Sequence, residues 1–128
     1  MAVPTVATYS AAALIAAQTS FLNLLDGGSA AGKIRVRNSS DSLLVEIPLT
    51  DPAGTVNGAG LLTITASAAG TASNTGTAAY GEICNSDNTV YLALPVEAGV
   101  AAVSGKLVLN TLSIQSGGPV ELVSATIG

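Results

Sequence analysis

The sequence predicts a mainly β protein, an antiparallel β-sandwich or barrel of about seven strands preceded by one N-terminal α-helix. Three observations carry this. Apolar residues alternate with polar ones in short runs after residue 32, turn signals recur every 8–12 residues, and helical spacing is confined to the first 25 residues. The length of 128 residues, 48% of them apolar, suits a single domain with one core. We read residues 1–9 as an N-terminal arm and residues 10–128 as that domain, its helix spanning 10–25.

The helix comes first. Ser10 is a suitable N-cap, Leu14, Ala17, Phe21, Leu24 and Leu25 follow at helical spacing, and Asp26-Gly27-Gly28 supplies a stop. Its alanines permit close approach to the same domain or to a second subunit. The first 25 residues carry no charge, but the first cation, Lys33, comes too late for a secretory signal. Gln18, Thr19, Ser20 and Asn23 interrupt any membrane span.

Lys33 to Arg37 then alternates strictly, with Ile34 and Val36 on one face and the three cations on the other. Asn38-Ser39-Ser40-Asp41 reads as a turn, and Leu43, Val45, Ile47 and Leu49 continue the alternation as the second arm of a hairpin. Pro48 lacks a ladder donor and is expected at an edge or strand end. Asp51-Pro52-Ala53-Gly54 has the composition of a turn. Strands are expected over 61–67 and 76–84, then a turn at Ser86-Asp87-Asn88. A further strand is expected to face Val90, Leu92 and Leu94 inward and to end at Pro95. Residues 106–114, a turn at Ser116-Gly117-Gly118-Pro119, and residues 120–127 complete the series.

Composition excludes much chemistry. Without histidine, and with Cys84 as the single cysteine, no Ser-His-Asp or Cys-His site, usual zinc site or intrachain disulfide can form. The aspartates lie in turn contexts, and Glu46, Glu82 and Glu121 lie in strands with solvent faces. No phosphate loop, dinucleotide fingerprint, nucleophile elbow or calcium loop occurs. We therefore expect no enzyme and no cofactor or metal. The net charge of -4 argues against a nucleic-acid surface.

Charge is also scarce, 9% of residues against roughly 25% in ordinary domains. Spread over about 6,000 Å² of surface, the ionic side chains fall at roughly one per 500 Å², which suits a surface covered in an assembly. Three of the four cations, Lys33, Arg35 and Arg37, share one strand face. Such a stripe docks an acidic partner or a neighbouring copy through bidentate Arg–carboxylate pairs, or is a solvated face that discourages edge pairing. With Leu14 and Phe21 of the helix, these are the candidate partner-binding residues.

The C-terminal stretch Leu107-Val108-Leu109-Asn110-Thr111-Leu112-Ser113-Ile114-Gln115-Ser116-Gly117, followed by Val120-Glu121-Leu122-Val123-Ser124-Ala125-Thr126-Ile127, resembles the final hairpin of small structural proteins of tailed bacteriophages. The Leu- and Asn-containing helix end, the Lys33-Ile34-Arg35-Val36 strand and Gly76-Thr77-Ala78-Ala79-Tyr80 are similar too, although Tyr80 stands where the family has Trp. The resemblance implies a capsid decoration (cement, or minor capsid) protein, made in the host cytoplasm and carried on the capsid exterior. It further implies binding to the major capsid protein as a homo-oligomer, a trimer by preference with a dimer as the alternative. The alternatives are a tail, baseplate or fibre component and, from another class, a receptor- or carbohydrate-binding β-module. The module ranks lower because Phe21, Tyr9, Tyr80 and Tyr91 are the only aromatic residues.

Overall fold

The computed structural model describes residues 9–27 and 30–127. The expected arm, apart from Tyr9, and Gly28 of the expected helix stop lie outside the described residues.

Helix α1 (Ala11–Asp26) starts where expected, because Ser10 takes an extended conformation and its side chain accepts from Ala13 N at 3.2 Å. Its inward stripe is Leu14, Gln18, Phe21, Leu22 and Leu25, whereas Ala17 and Leu24 face outward. Gln18 is polar yet belongs to the stripe, because its amide donates to the carbonyl of Ile127.

Seven strands close into a barrel. They are β1 (Lys33–Arg37), β2 (Leu43–Val56), β3 (Leu62–Ala66), β6 (Tyr80–Cys84), β7 (Val90–Ala98), β8 (Leu107–Leu109) and β11 (Leu122–Ile127), in the order β1-β2-β3-β11-β8-β7-β6, with β6 returning to β1. All neighbours are antiparallel except β7 and β8, so the barrel is mixed. The four short strands β4 (Gly70–Thr71), β5 (Gly76–Thr77), β9 (Ser113–Ile114) and β10 (Pro119–Val120) form two small sheets, β4 with β10 and β5 with β9.

Three hairpin turns use one device. In Asn38–Asp41, Asn57–Gly60 and Asn85–Asn88 the leading Asn accepts through Oδ1 from the backbone N–H groups two and four residues on. The fourth residue of each has positive φ, between 65° and 87°, a conformation that Gly, Asn and Asp tolerate best. Gly60 is doubly constrained, since a Cβ there would also meet the Leu14 side chain.

The core holds Ile34, Val36, Val45, Ile47, Leu62, Ile83, Leu107 and Leu109, all within 1% of full burial. Gly81 leaves the space that the Leu107 side chain fills. α1 lies at the barrel end where β3 starts and β11 finishes. Leu14 meets Gly60, Gln18 meets Ile127, and Asp26 Oδ1 accepts from Ala53 N at 3.1 Å. The two small sheets stand at the opposite end.

Three proline readings need correction. Pro48 lies inside β2 rather than at its end, because β2 changes partner there. Pro48 is the last residue paired with β1, and its carbonyl accepts from Ser67 on the other side. Asp51-Pro52-Ala53-Gly54 is an irregularity within β2 rather than a turn, with a register shift between Leu49 and Gly54. Gly54 serves close approach, since a Cβ there would strike the Thr63 carbonyl of β3. β7 runs past Pro95 to Ala98, and Val90 faces outward.

Candidate functional site

Closure of β1 between β2 and β6 decides the fate of the basic stripe. Antiparallel register sets Arg35 opposite Glu46 on one side and Glu82 on the other. All three cations are consequently engaged by this chain's own acids. Arg35 Nε lies 3.0 Å and Lys33 Nζ 3.6 Å from the same Glu46 carboxylate, while Arg37 Nε donates to Glu82 and its Nη1 to the Asp41 carbonyl. The Glu82 hydrogen bond raises the pKa of Arg37 above its ordinary value. Beside it, the Tyr80 hydroxyl donates to Asp41 at 2.8 Å, which holds the phenol proton more tightly. Cross-strand pairs of this kind contribute roughly 0.2–1 kcal/mol each, so the ladder belongs first to the barrel's own structure.

The balance is uneven within it. Two cations share Glu46, which leaves that cluster one positive charge in excess. Arg35 makes no hydrogen bond within the described residues, and its Nε, although close to Glu46, is misaligned and buried without a partner. Its side chain is 20% exposed, so the group sits in a partly desolvated setting.

Leu14 and Phe21 are half-buried against the body of the domain. Their contact with Gly60 and the core accounts for most of their surface. What α1 presents outward is uncharged: Ala13, Ala16, Ala17, Ser20 and Leu24, the last 48% exposed. A second uncharged element is the loop over residues 99–105, which joins the parallel strands β7 and β8. Val100 there is 96% exposed, and the loop is tied down at its ends by Gly99 N to Leu109 O and Gly105 N to Thr126 O. At its foot Lys106 Nζ lies 3.7 Å from Glu97.

The remaining features are modest. A shallow depression of about 220 Å³ lies between Ala66, Ser67, Ala68, Ala69, Glu121 and Leu122. Among the described residues, no three Asp, Glu or Cys side chains come together as a metal site, and no helix is long and apolar enough to cross a membrane. Cys84 is buried, and burial pushes its thiol pKa up, with Glu82 adding to the effect.

Sequence reasoning placed Glu46 and Glu82 on solvent faces and missed their tie to the stripe. For Glu46 the signal was partial, since the Asn38–Asp41 hairpin brings β2 beside β1, but a register shift between Val36 and Arg37 is what sets Arg35 opposite Glu46. For Glu82 it was absent, because pairing of β6 with β1 joins strands more than 40 residues apart. No family model, curated protein or solved structure matches the chain.

Proposed function

We propose that the protein is a virion structural component of a tailed bacteriophage, a decoration (cement) protein that binds the major capsid protein on the outside of the head and stabilises the shell. The observation that carries this reading is the distribution of charge. All four cations are held by carboxylates of the same chain, while the outer face of α1 and the loop over 99–105 are exposed and uncharged. Seating such surfaces on another protein strips no ion of its water, so little desolvation cost opposes the burial of apolar area. The likeness of the C-terminal hairpin to phage structural proteins supports the same reading.

Cementing needs no catalytic group. A protein that bridges two shell subunits adds buried area across their boundary and raises the free energy required to separate them. Many copies on a closed lattice multiply a modest contact.

The test is co-sedimentation of the purified protein with empty phage heads. Saturable, stoichiometric binding is expected, and Ala16→Glu and Leu24→Glu, both on the exposed face of α1, should weaken it at least tenfold while leaving the melting temperature within a few degrees of wild type. A folded protein that ignores heads overturns the reading and moves the protein to the tail, baseplate or fibre.

A further inference from the structure

Asn57 is the one asparagine of the chain that is followed by glycine. It opens the turn between β2 and β3, where its Oδ1 accepts from Ala59 N at 2.9 Å and from Leu61 N at 3.0 Å. Those two bonds fold the side-chain carbonyl forward over the Gly58 peptide and leave its amide nitrogen without a partner among the described residues. The Gly58 N–H is likewise taken by no carbonyl among the described residues, both residues are exposed, and a Cβ built on Gly58 would have open space around it. An electrophilic carbon, an unengaged main-chain nitrogen one residue on, and water therefore meet in one turn.

The geometry points to Asn57-Gly58 as a self-modification site, at which the chain converts its own Asn57 to aspartate and isoaspartate through a succinimide closed with Gly58. Base from water takes the Gly58 N–H proton, and the nitrogen attacks Asn57 Cγ. The Cγ–N bond that forms closes the ring, while the Cγ–Nδ2 bond breaks and Nδ2 leaves as ammonia with a proton returned from water. Water then opens the ring, at Cγ to give aspartate or at the main-chain carbonyl to give isoaspartate, so that one water enters, one ammonia departs and nothing is oxidised or reduced. The N–H groups of Ala59 and Leu61 lie where charge develops on Oδ1 as the ring closes, and they act as an oxyanion hole. Asn38 and Asn85 have the same pair of donors, but Ser39 and Ser86 follow them, each with a Cβ that crowds the attacking nitrogen. Asn85 is also only 8% exposed, and its amide nitrogen donates to the Tyr91 hydroxyl. The two products differ in what they do to the fold. Aspartate keeps an oxygen for both N–H groups, so the turn survives with one more negative charge. Isoaspartate runs the main chain through Cγ and withdraws that oxygen, in a turn whose Gly60 lies against Leu14 of α1 and whose flanks pair Val56 with Leu62. The inference is independent of the decoration reading.

The experiment is incubation of the purified full chain at mildly alkaline pH, with peptide mapping by mass spectrometry and enzymatic methylation of isoaspartate as the readouts, for wild type and Gly58→Ala, native and in concentrated urea. Conversion at Asn57 should outrun that at Asn38 and Asn85 about tenfold or more, and Gly58→Ala should slow it by a similar factor. Gly58→Ala meets no neighbour and replaces a glycine without positive φ, so its melting temperature should match wild type and show that the slower conversion is not a folding defect. Because the donors on Oδ1 exist only in the folded turn, the native chain should convert at least as fast as the chain in urea. Separated isoaspartyl chains should melt below wild type, whereas Asn57→Asp should melt with it. Conversion at Asn57 no faster than at Asn38, equal rates for Gly58→Ala and wild type, or faster conversion in urea overturns the proposal, and isoaspartyl chains that melt with wild type overturn its consequence for the seat of α1.

Discussion

Asp26 shows how much one side chain carries at a junction. It ends α1, caps Ala53 N of β2, and faces Asp51. Burial is the largest influence on its carboxyl and raises the pKa above the ordinary 3.8, the Ala53 hydrogen bond opposes this, and Asp51 adds to it. A raised folded value means that the native state holds the proton more tightly than the unfolded chain does. The favourable contribution is therefore complete below pH 3.8 and lost as pH rises through the raised value, so the ionised form is a cost at neutral pH. Asn at this position keeps an oxygen for Ala53 N and removes the charge. Thermal melts should place Asp26→Asn above wild type at pH 7 and level with it near pH 3; equal melting temperatures at pH 7 would refute the assignment. The role of Asp26 as part of a helix stop is legible in Asp26-Gly27, but its partner is not, since Ala53 reaches it only through the irregularity in β2.

At the scale of elements, α1 belongs to the domain through few side chains. Leu25 is fully buried and Leu22 nearly so, while most of the helix surface faces outward. Leu25→Ala should cost about 2–5 kcal/mol in urea denaturation, the range for emptying a packed leucine site, and a loss under about 1 kcal/mol would mean that the helix rests on the barrel without being locked to it. The existence and ends of α1 follow from Ser10, the alanines and Asp26-Gly27. Its inward face was misread because Gln18 sits in the stripe, and a polar residue there is explained only by the distant carbonyl of Ile127. The hairpin of β1 and β2 was legible for the opposite reason, as both its alternation and its Asn38 turn are local. Pro48, Pro52 and Pro95 misled because each is a local signal for an ending, whereas these strands continue by changing partners or absorbing an irregularity.

For the whole molecule, a mainly β fold with one helix and about seven principal strands was readable from turn spacing. Sandwich or barrel was not, because closure depends on β1 meeting β6 and β11 meeting β3, pairs with no local signature. The parallel contact of β7 with β8 hid for a similar reason: a connection of eight residues looks like a hairpin loop in sequence. Of the candidate site, the clustering of Lys33, Arg35 and Arg37 was plain, but their neutralisation was not. That neutralisation also makes reversal of all three to Glu a poor probe of docking, since it would set them against Glu46 and Glu82 in the barrel wall.

Closure of the ring has a consequence for crowding. A thinly charged protein approaching its isoelectric pH of about 4.3 loses the repulsion that keeps copies apart, and an open sheet in that state recruits strangers edge by edge into fibrils. Here each of the seven barrel strands already has two neighbours, and the small sheets offer edges only two residues long. Near pH 4.3 the protein should cloud reversibly, clear again when the pH is raised, and bind no thioflavin; a lasting, dye-positive precipitate would show that the ring opens. Stability of the closed wall, rather than charge, is then what lets copies crowd at high density without polymerising.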